Sequence, residues 1–378
     1  MKLNFPRREA AKLIAVALAL ASVGMHATAH NHDDDDDGKS LRQGKLFMST
    51  NAVGGNVLQV YARSANGPAT LLNSIATNGS GTGAGLGSQG AVTLSTNGRY
   101  LFVVNAGSNT VSTFKLGGKS LVLVSTVSSG GSRPISVAES DGVVYVLNSP
   151  ATDVGNTVVG FHNEGGVLVP LSDGKRALPD ASGPGQVGFD TEGEVLVVSE
   201  KNVTQLASYR VRGNGTLSST AQVTPSPGAV PFGFGFTKRN VLVVSEAGTS
   251  SASSYRLGEK RDASLQLVTA ALANGQGAAC WIAVTPDGRY AYSANAAASN
   301  VSAYGIDRAG KLTLLQAQAG FTSGNGALDM AITPDGRQLH VFASRSPQQI
   351  VSFTIGSDGT LGKIGSLNVT AGAGLAVN

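Results

Sequence analysis

The hexapeptide Val-Leu-Val-Val-Ser-Glu occurs twice, at 195–200 and 241–246, so Glu200 and Glu246 close identical strings. Identical strings in neighbouring repeats place their last residues equivalently. Two carboxylates facing one space split their proton affinities, leaving an acid beside a base. Other polar residues stand where similar strings open or finish: Arg133 before Pro134, Gln186, Asp329, and Arg345 after Ser344, read as the register of the two glutamates. Arg133 or Arg345 could hold a carboxylate-bearing ligand, because the planar guanidinium matches that group. Trp281, the only tryptophan, is either a stacking platform or core packing. The plainer reading of the glutamates is solvated strand ends, and of the other polar residues ordinary structural pairing. Asp287 and Asp335 sit in Pro-Asp-Gly turns and belong to those turns. Cys280, the single cysteine, reads as a buried inert thiol with no basic neighbour in sequence.

A different chemistry is offered by His30-Asn31-His32, followed by five aspartates. If cleavage falls after Ala29, the free α-amine, two backbone nitrogens and the His32 imidazole can surround Cu(II) or Ni(II) in a square plane, with His30 as the terminal residue. The competing reading of 30–45 is an acidic, disordered, solubilising tether that requires no cofactor.

The elements that must position these residues are repeats. Tyr61, Phe114, Phe161, Tyr209, Tyr255, Tyr304 and Phe353 recur at intervals of 46 to 53 residues, each ending a short strand-like string. About ten residues before most of them, an apolar run ends in a small polar residue, as in Leu101-Phe-Val-Val-Asn105. A turn such as Thr285-Pro-Asp-Gly-Arg289 precedes several of those runs. Four short strands per repeat, with tight turns between them, define one propeller blade. The expected fold is therefore all-β, a seven-bladed propeller over 46–378. Gly374–Asn378 supplies the strand missing from the first repeat and pairs beside Leu46–Asn51, which closes the ring and removes a sheet edge. The Gly/Ser-rich stretch 78–90 falls between blades and reads as a long inter-blade loop.

The first 29 residues stand apart. Lys2, Arg7, Arg8 and Lys12 precede an apolar run to Met25, and Ala27-Thr-Ala29 supplies a small-x-small cleavage pattern, as in a signal peptide. The apolar run is too short for a membrane span. Both the general secretory and the twin-arginine routes fit, and either makes the chain periplasmic or extracellular. Without the leader the 28 basic and 24 acidic residues become 24 and 23. No basic run remains to bind nucleic acid. The expected molecule is an exported monomer.

Strings such as Ile282-Ala-Val-Thr-Pro-Asp-Gly-Arg-Tyr-Ala-Tyr-Ser-Ala-Asn295 and Leu94-Ser-Thr-Asn-Gly-Arg-Tyr-Leu-Phe-Val-Val-Asn105 resemble the propeller lactonases. This family includes 6-phosphogluconolactonases and carboxymuconate-lactonising enzymes, and the resemblance spans about 46–378. It implies a lactonase-like hydrolase or a lactonising isomerase. Such enzymes typically place a histidine before an inner strand, an arginine after the proline opening the next, a glutamate closing that blade, and an arginine after the following blade's asparagine. Here 185–190 reads Gly-Gln-Val-Gly-Phe-Asp without histidine, Phe232 follows Pro231, Glu246 matches, and Ala296 follows Asn295. Two functions stay open. One is conversion or binding of a small polar compound, such as a cyclic ester, at the channel. The other is a non-catalytic scaffold for a protein, polysaccharide or cell-surface partner.

Overall fold

The computed structural model describes residues 44–117, 120–258, 262–322 and 326–378. The leader, most of the proposed tether, and His30 and His32 lie outside them. The described residues form seven four-stranded antiparallel sheets. Blade 1 combines Lys45–Ser49, Val57–Ala62 and Thr70–Ala76 with the C-terminal Ala373–Val377. Blades 2 to 7 follow in chain order, with inner strands Val92–Leu94, Pro134–Ser140, Pro184–Phe189, Pro231–Phe236, Ala279–Val284 and Ala327–Ile332.

The ring closes as the sequence implies. Leu46 pairs with Val377, Phe47 with Ala376, Met48 with Leu375 and Ser49 with Ala373. The Asn378 side chain extends the join by accepting from the Lys45 backbone N–H at 2.7 Å. The recurring aromatics are the hubs of the inter-blade cores: Tyr61, Phe114, Phe161, Tyr209, Tyr255, Tyr304 and Phe353 are all buried. Each stands opposite the apolar run of its blade, as Tyr255 stands opposite Leu242 and Phe353 opposite Leu339. Alternation along each strand sends one side chain to each sheet face, and both faces are covered by neighbouring blades. This is why second strands such as Val195–Glu200 are buried throughout.

A polar clamp recurs at one register in several blades. Asn105, which ends the second strand of blade 2, accepts from Thr77 Oγ1 and donates to Thr110 and Ser112. Asn295 in blade 6 accepts from Asn274 and donates to Asn300 and Ser302. In these blades the clamp ties the incoming inter-blade crossing to the blade that follows, through buried side chains that satisfy one another.

Candidate functional site

Glu246 occupies this clamp register in blade 5. It is fully buried, and four donors surround its carboxylate: Ser226 Oγ at 2.9 Å, the Gly228 N–H at 2.9 Å, Ser251 Oγ at 2.6 Å and Ser253 Oγ at 2.6 Å. Glu200 holds the same register in blade 4. It is equally buried, with Oε2 accepting from Gln205 at 2.6 Å and Oε1 without a partner. Burial raises its pKa, partly offset by hydrogen bonds from Gln205 and Ser182. The expected shared space is not what these placements give. Neither glutamate lines the channel, and their hydrogen-bond partners have no residue in common. The reason is strand alternation. In each string the serine reaches the next inner strand, Ser199 to the Phe232 carbonyl and Ser245 to the Cys280 carbonyl, so the adjoining glutamate points to the opposite face.

The channel is a cavity of about 360 Å³ lined by six of the seven inner strands. Two of the sequence-predicted residues lie in its wall, Gln186 and Asp329. Gln186 joins blades 4 and 5 by mimicking a strand, with Oε1 accepting from the Phe234 N–H at 2.7 Å and Nε2 donating to the Phe234 carbonyl at 3.1 Å. That leaves one Nε2 hydrogen uncommitted. Asp329 Oδ2 accepts from the Gly374 N–H at 3.0 Å, tying blade 7 to blade 1. Burial pushes the Asp329 carboxyl up to about 7, with only that one hydrogen bond acting against it. A carboxyl balanced near neutrality in a cavity is suited to taking and returning a proton.

One end of the channel is stopped by residues that sequence reasoning passed over. The stretch 78–90 does connect blades, but its last part crosses the ring. Gln89 leads into the inner strand of blade 2, yet its side chain pairs with Ile282 in blade 6: Oε1 accepts from the Ile282 N–H at 3.0 Å and Nε2 donates to its carbonyl at 2.8 Å. A Cβ on Gly233 would meet Gln89 Oε1, so the bridge requires glycine there. Ser88 donates to the Ile135 carbonyl in blade 3 and accepts from Trp281 Nε1 at 3.0 Å. The Gln89 N–H reaches the Gly185 carbonyl of blade 4. Blades 3, 4 and 6 thus anchor this short plug.

The remaining predicted residues lie on the far side of the plug or away from it. Arg133 donates to the carbonyls of Ser149 at 3.1 Å and Leu86 at 3.5 Å. Lys201, not anticipated, donates to the Gly87 carbonyl at 2.6 Å and lies 4.9 Å from the centre of the Phe232 ring. Burial and the Arg133 charge draw its ammonium down to about 8. Trp281 is packed against Phe232 at 4.8 Å and hydrogen-bonded to the plug, which makes it part of the packing beneath the plug. Cys280 is a buried thiol, pushed up to about 11. Arg345 is exposed in a loop. Ala343, opposite Ala327, holds the register that Glu246 holds opposite Pro231, so Arg345 stands two residues beyond the expected place. Among the described residues, no group of three or more His, Cys, Asp or Glu could hold a metal ion. No helix among them is long and apolar enough to cross a membrane.

The profile of one protein family, "Lactonase, 7-bladed beta-propeller", matches residues 42–176 and 234–374. The chain belongs to this family. No curated protein sequence matches it significantly. Among solved structures, a periplasmic gluconolactonase of Pseudomonas aeruginosa is similar at 17% identity and TM-score 0.70, covering 88% of this chain and 98% of that one. A Bacteroides fragilis protein provisionally described as a 6-phosphogluconolactonase is 19% identical, with TM-score 0.67 and coverage of 90% and 99%. A functionally unknown protein of Desulfotomaculum acetoxidans is 16% identical, with TM-score 0.70 and coverage of 89% and 98%. At these identities the likeness is one of fold.

Proposed function

We propose that this lactonase-family propeller is exported and binds a small cyclic ester in its channel, where Asp329 is the base for its hydrolysis. The observation that carries this reading is a lone buried carboxyl near pKa 7 in the wall of a ligand-sized cavity. The ionised Asp329 takes a proton from water, and the resulting hydroxide oxygen bonds to the ester carbonyl carbon. The free N–H of Gln186 Nε2 steadies the oxyanion. Collapse reforms the carbonyl and breaks the ring C–O bond, while Asp329 returns its proton to the departing alkoxide. The product is a hydroxy acid, and no cofactor enters the balance. Export rests on the basic and apolar leader at 1–29 with its Ala27-Thr-Ala29 pattern.

The test is lactone hydrolysis followed by titration of released acid. A rate rising with pH through about 7 and then levelling is expected, because Asp329 must be ionised to act. Asp329→Asn keeps the acceptor for Gly374 and should lose at least about a hundredfold in rate. Full activity of that variant would end the assignment. Retention of the folded protein in the cytoplasm of the native host would end the export half.

A further inference from the structure

The channel wall differs along its length and carries charge of one sign only. At the stopped end stand the Asp329 carboxyl and the amides of Gln89 and Gln186. Further along, the inner strands run out through Leu94, Phe236, Val284, Ile332 and Val377. Leu94, Phe236, Val284 and Ile332 keep partial exposure, while Val92, Phe234, Ile282 and Asp329, two or three residues earlier on the same strands, are buried. The cavity therefore opens at the end where the strands enter their first turns, and the side chains that remain partly exposed there are mainly apolar. Among the described lining residues there is no Lys, Arg or His. The nearby cations, Arg133 and Lys201, are bonded to the carbonyls of Leu86 and Gly87 in the plug and do not line the cavity.

A phosphate or carboxylate in such a cavity would stand near Asp329 without a counter-charge, in surroundings that leave it poorly hydrated. An uncharged polar head meets no such penalty, and an attached hydrocarbon chain gains from every methylene placed against the apolar wall. We infer that, if the channel is the ligand site as proposed above, its ligand is an uncharged amphiphile: a compact cyclic ester that reaches Asp329 and Gln186 and trails an apolar chain along Leu94, Phe236, Val284 and Ile332. Sugar phosphates are excluded as preferred ligands by their charge, and uncharged sugar lactones, which offer the mouth no apolar chain, should bind more weakly than alkyl lactones. The same wall expels the product, because hydrolysis creates a carboxylate where no cation receives it.

Titration calorimetry of the purified chain with γ-lactones bearing alkyl chains from methyl to hexyl tests this, with δ-gluconolactone and 6-phosphogluconate as competitors. Affinity should rise roughly three- to fourfold per methylene until the channel is filled. Ile332→Thr, a modest change at the mouth, should weaken the hexyl member more than the methyl member and so flatten that increment, and Asp329→Asn should change the binding of every member. If δ-gluconolactone or 6-phosphogluconate binds as tightly as the hexyl lactone, and Asp329→Asn still alters that binding, the channel is the site but the ligand class is wrong. If no lactone binds, or Asp329→Asn changes nothing, the proposed site falls and this inference falls with it.

Discussion

Two buried groups in blade 7 should make the stability of this propeller respond to pH in opposite senses. Burial raises Asp329 from its ordinary 3.8 to about 7 and lowers His340 from 6.5 to about 3, the latter helped by the Arg63 charge. His340 is fully buried, sharing a hydrogen bond with Ser352 at 2.8 Å through Nδ1 and leaving Nε2 unpartnered. Between about pH 4 and 7 the folded chain keeps the Asp329 proton that the unfolded chain releases, so this group lowers stability as pH rises. Between about pH 6.5 and 3 the unfolded chain protonates the histidine and the folded chain resists, so this group lowers stability as pH falls. A displacement of about three pH units is worth roughly 4 kcal/mol at about 1.4 kcal/mol per unit. For a folded unit of roughly 330 residues this corresponds to about 6 °C in Tm. In the wild type the two slopes oppose each other between about pH 4 and 6.5. The variants separate them. Melting of Asp329→Asn should exceed that of wild type by a margin growing from about pH 4 to about pH 7 and constant above. Melting of His340→Asn should gain on wild type as pH falls below about 6.5. Calorimetric or fluorescence melts at unit pH intervals read both. A difference between Asp329→Asn and wild type that does not change with pH would refute the assigned burial of that carboxyl.

Two further perturbations probe the clamps and the closure. Glu246→Gln replaces one acceptor oxygen by a donor among four hydrogen-bond donors, so it should lower stability by roughly 2–4 kcal/mol, read from denaturant midpoints. Glu200→Gln relieves a buried carboxylate whose Oε1 is unpartnered and whose pKa burial raises, so it should be neutral or stabilising at neutral pH; equal losses in the two variants would contradict the difference between these sites. Removing 373–378 strips the inner strand from blade 1 and bares the edge of Lys45–Ser49, so light scattering should show association and melting should fall; a monomer of unchanged Tm would count against the closure.

The ring was legible in the sequence because its signals are local and repeated. An aromatic at each repeat and a strand without a partner at each end fix blade number and closure with no knowledge of side-chain contacts. The glutamate pair was misread for an equally local reason. The repeated string shows that Glu200 and Glu246 are equivalent, but it does not say which face is theirs, and a shift of one residue exchanges channel for clamp. The readable clue was Asn105, Asn148 and Asn295 at the same register, since three asparagines closing matching strands signal a structural role shared by their replacements. The Gln89 bridge was out of reach. Its partner lies 193 residues away, and the bond exists only because the closed ring sets blade 6 across the channel from blade 2. Its one trace in sequence is Gly233, whose missing Cβ makes room for the amide.

Asp329 shows how far position alone carries. Its place near the opening of an inner strand marked it for attention, but whether such a carboxyl is paired depends on what the neighbouring blade offers. Blade 7 is followed by the C-terminal strand, whose Gly374 supplies one N–H. The neighbouring lining contributes Met330, Leu375 and Val377, none of which can neutralise a charge. Ring closure by the last strand therefore does two things at once. It removes the exposed edge of blade 1, and it creates the poorly solvated setting in which a single carboxyl is held near neutrality. Any substitution that loosens Ala373–Val377 should then lower the Asp329 pKa towards the ordinary carboxylate range and move the lower limb of the hydrolysis pH profile with it. That shift would link the architecture of the ring to the chemistry of its channel.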